Sequence, residues 1–331
     1  MIALIGTAQS AALAAIAFAA AAAVGSRAVY PALRSRLLAT APAERARSIL
    51  AWLAAPSALA VVLTMLCFLP SALGVLGLGT DHCPSHDDHH PHLCLVHRSP
   101  SPGGAAGWLT LALVGGAGLV PLGRQFVELR RACRLLAGLA AGSTWDARRG
   151  VRVLETAEPL SVAAGIRSGD VFLSSGLTDS LPAETLEVVI EHERAHLRRR
   201  DALWRVVARA LSIMHLPSLR ATLLADFALA CEQACDEEAA HGVDDRLRVA
   251  SAIVRVERVL AAHRRSQMLL APAFGGSDVE ARVERLLADQ PYPSLGGGAR
   301  WPLFVIGGVV ALAAAGSLHH FTETALGLLT R

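Results

Sequence analysis

Long apolar runs dominate the hydrophobic pattern of this chain. They cover about residues 2–24, 49–78, 105–122 and 301–318. A helix needs about 20 apolar residues to cross the hydrocarbon core of a bilayer, so each run is long enough to be a transmembrane helix. Pro56 and Pro70 interrupt the second run, which predicts a tilted or kinked helix there. The pattern therefore predicts an α-helical polytopic membrane protein.

In residues 124–300 the apolar stretches are shorter and have the spacing of strands and helices in a folded domain. Val151–Leu154 and residues 171–174 are short apolar or β-branched stretches between glycines, and we expect two strands there. Apolar positions three and four residues apart predict helices from Pro182 through His196 and over 201–213, 219–241, 246–265 and 278–289. Residues 291–298 predict a Pro- and Gly-rich linker into the last apolar run.

The placement of arginines predicts the orientation in the membrane. Five arginines lie between the first and second runs and four follow the third, whereas the loop between the second and third runs carries only Arg98. Because cytoplasmic loops are enriched in basic residues, we expect both termini outside and residues 124–300 in the cytoplasm. A secretory signal peptide is the alternative for the first run, but no basic segment precedes it and Arg27 follows it.

These expectations define three parts of the chain. Residues 1–123 hold three transmembrane helices and an external loop at 79–104. Residues 124–300 form the cytoplasmic domain. Residues 301–331 hold the fourth transmembrane helix and a short external tail. We expect the protein to be integral to the cell (inner) membrane, with the lipid bilayer as its first partner.

Composition supports a membrane protein and disfavours a nucleic-acid-binding one. The chain is 53% hydrophobic and 18% charged, which is too apolar for an ordinary soluble protein. The formal net charge is only +3, and the arginines cluster beside the apolar runs. That arrangement suits membrane anchoring, so we expect no direct nucleic-acid binding.

The motif His192-Glu193-Arg194-Ala195-His196 carries the candidate chemistry. Residues four apart on a helix project from one face, so the two imidazoles can bind one zinc ion and Glu193 can reach the water on it. Zinc lowers the pKa of such a water to about 7, and Glu193 would take its proton and pass it to the leaving amine. The alternative is an exposed charged helix with two histidines, but the apolar face formed by Leu186, Val189 and Ile190 leads into the motif.

A catalytic zinc site needs three protein ligands and an open position, so a third ligand must lie elsewhere. Glu232 is our expected third ligand, and Asp236, one turn further along the same face, is expected to orient a ligating histidine. The rivals for the third ligand are His215, Glu237 and Glu238. We expect Cys231 and Cys235, on the same helix, to be packed free thiols rather than a redox pair.

The stretch GIRSGDVFLSSGL…LPAETLEVVIEHERAHLRRRDALWRVVARAL…EQACDEEAA resembles the BlaR/MecR-type membrane metalloproteases. These antirepressor proteases are related more distantly to the HtpX/Ste24-type membrane proteases. The resemblance covers roughly residues 150–290 and includes both the HExxH and the E-x-x-x-D motifs without substitution. It implies a cytoplasmic α+β zincin-like (gluzincin) metalloprotease domain. One zinc ion would be bound by His192, His196 and Glu232. Glu193 would be the catalytic acid/base, and Asp236 would orient a ligating histidine.

The resemblance also suggests a substrate. Receptors of this family carry a β-lactam-binding domain beyond the last span, whereas here only residues 319–331 follow the fourth run. Shorter relatives generally act with a winged-helix transcriptional repressor of the BlaI/MecI type. We therefore expect a signalling endopeptidase that cleaves such a repressor, with residues 171–174 as the edge strand along which the peptide lies.

The loop between the second and third runs is rich in histidine and holds two cysteines. One interpretation is a polar hairpin closed by a disulfide, which an oxidising compartment allows. The other is a loop that binds zinc, copper or nickel, and the two are compatible. The residues concerned are Cys83, Cys94, His86, His89, His90 and His92.

Two other functions fit the same sequence. The chain would be a membrane-protein quality-control protease of the HtpX/Ste24 type, or a non-enzymatic membrane sensor whose external loop binds a metal. The intact Glu193 argues against the second alternative, because a sensor needs no catalytic base.

Overall fold

The computed structural model describes residues 2–78, 93–95, 104–165, 169–267, 276–288, 310 and 312–328. Within these residues the chain is mostly helical and holds one four-stranded sheet. The helices are α1 (Ile2–Leu38), α2 (Pro42–Val75), α3 (Gly104–Ala141), α4 (Ser175–Ser180), α5 (Ala183–Arg199), α6 (Asp201–Leu211), α7 (Pro217–Val243), α8 (Arg246–Gln267), α9 (Gly276–Leu287) and α10 (Ala315–Leu328). The strands are β1 (Ser143–Asp146), β2 (Val151–Leu154), β3 (Ser161–Ala164) and β4 (Asp170–Ser174).

Among the described residues, three helices are long and apolar enough to cross a membrane, over Ile5–Leu38, Pro42–Val75 and Gly104–Ala141. Each extends beyond the apolar run that predicted it. At 38 residues, α3 is roughly 57 Å long, about twice the thickness of the hydrocarbon core. It therefore continues through residue 124, where we expected the cytoplasmic domain to begin. Pro56 and Pro70 both lie inside α2, which runs on through them.

Most of the fourth apolar run and all of the linker 291–298 lie outside the described residues. Helix α10 extends to Leu328, so most of the residues that we expected to form the external tail, 319–331, are helical. This helix packs against α2 and α1. Buried side chains of α10 include His319 and Glu323.

The sheet has the strand order β1-β2-β4-β3, in which only β2 and β4 are parallel. Both predicted strands are confirmed. The expectation that residues 171–174 form an edge strand is wrong, because β4 pairs with β2 on one side and with β3 on the other. Val171, Phe172 and Leu173 are all buried, as expected of a central strand with both faces covered. The edge on this side of the sheet is β3.

Helix α5 packs one face against the sheet and ends in a sharp turn that leads into α6. Leu186, Val189 and Ile190 join Val151 and Leu173 in one buried cluster. Arg200 then adopts a left-handed backbone conformation, with φ 56° and ψ 39°, and α6 begins at the next residue. A single left-handed residue closes a helix and turns the chain sharply.

Helix α7 joins the sheet domain, defined as residues 143–287, to α1 and α2. Tyr30 Oη donates a hydrogen bond to Asp226 Oδ2 at 2.8 Å, and Arg34 donates two to the same carboxylate at 2.7 Å each. Arg45 of α2 donates to the side chain of Gln233 on α7. Hydrogen bonds thus connect the helix that carries Glu232 to two of the three membrane-span candidates, α1 and α2.

Candidate metal centre

Helix α5 brings His192 and His196 together on one side. Their ring centroids are 4.8 Å apart and the ring planes are nearly perpendicular, at 88°. This is the arrangement expected of residues one helical turn apart. Both side chains are largely buried, at 14% and 15% exposed, so the helix is not the exposed charged one that the alternative required.

Each of the two histidines has one ring nitrogen held by a carboxylate. Nδ1 of His192 lies 2.9 Å from Asp236 Oδ1, and Nδ1 of His196 lies 2.8 Å from Asp201 Oδ2. An ionised carboxylate only accepts hydrogen bonds, so we assign the proton to Nδ1 in both rings. This leaves both Nε2 atoms to face the same group, Glu232. Ligating histidines in metal sites are usually oriented in this way.

Glu232 of α7 closes a set of three donors. His192 Nε2 lies 3.4 Å from Glu232 Oε2, and His196 Nε2 lies 3.6 Å from Glu232 Oε1. All three donor atoms lie within 4.8 Å of one another. Two ligands about 2.1 Å from a tetrahedral ion are roughly 3.4 Å apart, so these side chains fit one ion of the size of zinc.

Two arginines hold the carboxylates of this centre. Arg282 of α9 donates two hydrogen bonds to Asp236, both at 2.7 Å, and lies 3.4 Å from Glu232 Oε2. Arg205 of α6 donates to Glu232 Oε1 at 2.5 Å. Neither arginine was expected at the site, and together they hold Glu232 and Asp236 from two different helices, α6 and α9.

The electrostatics of the centre favour the charged forms of His192 and Glu232. Burial alone would lower the pKa of His192, but hydrogen bonds to Asp236 and Glu232 outweigh it and raise this pKa to about 9. Burial would likewise raise the pKa of Glu232, yet the hydrogen bond and charge of His192, with the charges of His196 and Arg282, lower it. The site thus stabilises ionised Glu232 and positive charge beside it.

Glu193 lies between the donor set and the edge strand. Ser161 Oγ of β3 donates a hydrogen bond to Glu193 Oε1 at 2.6 Å. Glu193 lines two cavities, of about 360 Å³ and about 200 Å³. The larger also contains His192 and Glu232, and its other walls are mostly apolar side chains of α8 and α9 such as Ile253, Val256 and Val279.

Cys235 supports the centre from the buried side. Its Sγ lies 3.2 Å from His196 Nδ1 and 3.3 Å from Asp201 Oδ2, to which the thiol donates. Burial and the charge of Asp201 raise the pKa of Cys235 well above its usual range, which favours the neutral thiol. Cys231 and Cys235 are buried and unpaired, which confirms that they are packed thiols.

The rivals for the third ligand are engaged elsewhere. His215 is buried with its Nε2 3.2 Å from the carbonyl oxygen of Leu53. Glu237 pairs with Arg285, and Glu238 pairs with Arg198 and Arg199. Of the loop residues, Cys83, His86, His89, His90 and His92 lie outside the described residues, while Cys94 is buried with its Sγ 3.3 Å from Ser71 Oγ.

The sequence patterns did not predict four residues of the centre: Ser161, Asp201, Arg205 and Arg282. Ser161 is 32 residues from its partner Glu193, and Arg282 is 46 residues from Asp236. No local period links residues so far apart. Asp201 had a usable signal, because it is an acidic residue five positions after His196 at the start of the next helix.

Comparison with known families agrees with the resemblance in the sequence. Residues 158–286 match the model of the family described as BlaR1 peptidase M56. The matched segment includes all the residues of the centre described above, from Ser161 to Arg282. Neither a curated protein nor a solved structure matches the chain. The match supports a peptidase of the BlaR/MecR type, and the three apolar helices are compatible with a membrane protein.

Proposed function

We propose that this chain is an integral-membrane zinc-dependent endopeptidase with a zincin-like domain of the gluzincin kind. His192, His196 and Glu232 hold the ion, Asp236 orients His192, and Glu193 is the catalytic acid/base. One observation carries the proposal. Both Nδ1 atoms are held by carboxylates, while both Nε2 atoms face Glu232 at 3.4 and 3.6 Å.

The side chains around the centre have different roles in peptide hydrolysis. When bound, zinc would polarise the scissile carbonyl and activate a water molecule. Glu193, positioned by Ser161, takes the proton of the attacking water and delivers it to the leaving amine. Arg205 lines the smaller cavity with Glu193 and His196, where its guanidinium would stabilise negative charge on the carbonyl oxygen.

The edge strand and the larger cavity suggest how a substrate binds. The outer edge of β3 lies beside Glu193, and an extended peptide would add to it as a further strand. The cavity of about 360 Å³ opens next to His192 and Glu193 and has mainly apolar walls. An extended peptide with an apolar side chain next to the scissile bond therefore fits this site.

The biological substrate we propose is a cytoplasmic winged-helix repressor of the BlaI/MecI type. The family match over residues 158–286 supports this choice, and so does the arginine distribution, from which we expect the sheet domain to be cytoplasmic. The chain would then be a signalling protease of the inner membrane that removes a repressor.

The test compares the purified full-length protein with Glu193→Gln on a BlaI/MecI-type repressor, with zinc per chain measured for both. We expect Glu193→Gln to keep its zinc and to cleave at least about 100-fold more slowly, the usual contribution of general acid–base catalysis. Glu232→Ala should lose one zinc ion per chain relative to the wild type, and His241→Ala, an exposed histidine of α7, should lose none.

Two results would contradict the proposal. Equal cleavage by the wild type and Glu193→Gln would exclude Glu193 as the acid/base. Unchanged zinc in folded Glu232→Ala would exclude the ligand set. If the protein cleaves unfolded membrane proteins and leaves the repressor intact, it is still an endopeptidase, but its function is that of a quality-control protease.

A further inference from the structure

A further cavity lies between α2, α6 and α7, and it shares Asp201 with the smaller of the two cavities that Glu193 lines. Its volume is about 780 Å³, within the range of about 300–1,000 Å³ that is usual for small-molecule sites. Most of its walls are apolar, and they include Leu50 of α2, Leu211 of α6 and Phe227 of α7. The cavity is therefore large and apolar enough to hold an acyl chain.

The cavity extends across the expected surface of the membrane. It follows α2 from Ala43 to Ala54, roughly 17 Å at 1.5 Å per residue. The apolar run that we expect in the membrane starts at about residue 49, inside this stretch. Trp204 of α6 also lines the cavity and is 42% exposed, and tryptophan is enriched at membrane–water interfaces. One end of the cavity is thus expected among the lipid headgroups and the other in the hydrocarbon.

The charged and the apolar walls of the cavity lie at opposite ends. His215, just beyond α6, has its Nε2 3.2 Å from the carbonyl oxygen of Leu53, so the C-terminal end of α6 meets α2 near Leu53. Arg199 and Asp201 lie at the other end of α6, and Arg47 precedes Leu53 on α2. Along the cavity both helices therefore run from charged residues to apolar ones, as a lipid does from headgroup to acyl chain.

The charged end of the cavity is positive. Arg47 and Arg199 line it together with one carboxylate, that of Asp201. The Asp201 side chain is 4% exposed and is held by His196. The Arg47 side chain is exposed and forms no ion pair or hydrogen bond with any described residue. Guanidinium groups bind phosphate through several directed hydrogen bonds, so this end suits an anionic headgroup.

Arg199 has a donor that the protein leaves unused. Its Nε is buried and has no hydrogen-bond partner among the described residues, and Asp201 Oδ1 is 3.5 Å away from it. A buried donor without an acceptor is costly, more so when it belongs to a charged group. A phosphate oxygen in the cavity would supply the acceptor.

We propose that this cavity binds one membrane phospholipid with an anionic headgroup. Arg47 and Arg199 hold the phosphate, and one acyl chain packs against Leu50, Leu211 and Phe227. A zwitterionic headgroup adds an ammonium group that the two arginines repel, so the anionic lipid binds more tightly. The proposal rests on the membrane placement in the proposed function and does not depend on the peptidase activity.

Native mass spectrometry of the full-length protein, purified in detergent and depleted of lipid, tests the headgroup. The probes are phosphatidylglycerol and phosphatidylcholine with identical acyl chains. We expect one phosphatidylglycerol per chain, bound at least about fivefold more tightly than phosphatidylcholine. Arg47→Gln should remove most of this preference, while Arg36→Gln, at an exposed position that does not line the cavity, keeps it. Equal affinity for the two lipids, or equal effects of the two substitutions, would overturn the proposal.

A second pair of variants tests the apolar end. Ala54→Trp fills the cavity on the same face of α2 as Leu50, so the affinity for phosphatidylglycerol should fall by about tenfold. Ala58→Trp, at an exposed position one turn further along α2, should bind the lipid as the wild type does. Unchanged affinity in folded Ala54→Trp would mean that the lipid binds elsewhere, which also overturns the proposal.

Fluorescence in phosphatidylcholine vesicles covers the case in which Ala54→Trp does not fold. The difference in emission between the wild type and Trp204→Phe isolates Trp204. Phosphatidylglycerol with brominated acyl chains should quench this emission more strongly than brominated phosphatidylcholine at the same mole fraction, and equal quenching would refute the site. Glu193→Gln, which removes the proposed peptidase activity, should bind the lipid as the wild type does, so the two proposals fail separately.

Discussion

The Nδ1 atom of His196 lies 2.8 Å from Oδ2 of Asp201, a residue that the turn at Arg200 places at the start of α6. Asp236 Oδ1 of α7 lies 2.9 Å from Nδ1 of His192. The two histidines of the motif are therefore oriented by carboxylates from two different helices. Burial alone would raise the pKa of Asp201, but its hydrogen bond to His196 and the charge of Arg199 lower it, so the carboxylate is ionised.

Asp201→Asn should weaken zinc binding. The amide can accept a hydrogen bond but carries no charge, and its own N–H₂ can stabilise the wrong tautomer of His196. Loss of such an outer partner typically costs about 10- to 100-fold in metal affinity. The measurement is a competition titration against a chelating dye. Asp179→Asn, at an exposed position of α4, is the matched control, and equal affinities for the two variants would refute the role of Asp201.

Ser161→Ala should lower kcat with little change in KM or zinc content. Ser161 donates to Glu193 at 2.6 Å, and a hydrogen bond to a charged group contributes about 1.5–3 kcal/mol, so we expect a loss of about tenfold or more. Steady-state kinetics on a peptide substrate measures both constants. Ser161→Thr keeps the hydroxyl and should retain most of the activity. A fall in zinc content instead of kcat would show that Ser161 is structural.

The larger cavity should decide which side chain the substrate presents. Val256 of α8 lines it and also packs against the core cluster of the sheet domain. Val256→Phe should raise KM by about tenfold for peptides with a large apolar side chain and by less for alanine peptides, because a few methylenes in a pocket are worth 1–3 kcal/mol. Val256→Ala should shift the preference the other way.

The control for the cavity is Leu247→Phe on the same helix. Leu247 is 65% exposed and does not line the cavity. Its substitution should leave the preference between large and small side chains unchanged. An equal shift in both variants would mean that α8 affects activity through stability and that the cavity does not select the side chain.

Local patterns were sufficient for the elements that carry the motif. Helix α5 lies where periodicity predicts it, because its apolar positions bury one face. Strand β2 lies where a short apolar stretch between glycines predicts it. Strand β3 was not predicted, since its four residues, Ser-Val-Ala-Ala, are small and show no alternation. That omission moved the expected edge to β4. Only the pairing of β3 with β4, a long-range contact, corrects it.

The candidate site was only partly predictable for the same reason. His192, His196 and Glu232 belong to motifs with fixed spacing, and the structure places their donor atoms together. Arg205 and Arg282 have no such spacing, because their positions depend on how α6 and α9 pack against α7. Charged residues on amphipathic helices are usually solvated, so nothing in the sequence separated these two from the other arginines.

The thiols near the site should resist alkylation in the folded protein. Burial raises the pKa of Cys231 to about 12 and raises that of Cys235 as well. A raised thiol pKa keeps the protonated form until the pH approaches it, so at pH 8 only about one Cys231 in 10⁴ is a thiolate. Exposed Cys133 should react with iodoacetamide first.

Mass spectrometry of the labelled peptides checks this order, and denatured protein, in which all thiols react, is the control. At pH 8 the peptide with Cys133 should be labelled while the peptide with Cys231 is not. Early modification of Cys231 or Cys235 at pH 8 would mean that the α7 helix opens readily or that these thiols are activated, against the packed arrangement.

The contact between Asp226 and α1 should contribute measurably to stability. Asp226 is 4% exposed and accepts hydrogen bonds from Tyr30 and from Nε and Nη2 of Arg34. The Arg34 side chain is itself 44% exposed. Removing one partner of a buried pair costs several kcal/mol, but Arg34 stays partly solvated, so we expect Asp226→Ala to cost about 2 kcal/mol. For a chain of this size that lowers Tm by about 4 °C. Arg27→Ala is the matched control, because the hydrogen bond of Arg27 to Ser218 across the same α1–α7 contact is exposed, and it should change Tm by less than about 1 °C. Thermal unfolding in detergent gives both values, and equal shifts for the two variants would show that the Asp226 carboxylate does not fasten α7 to α1.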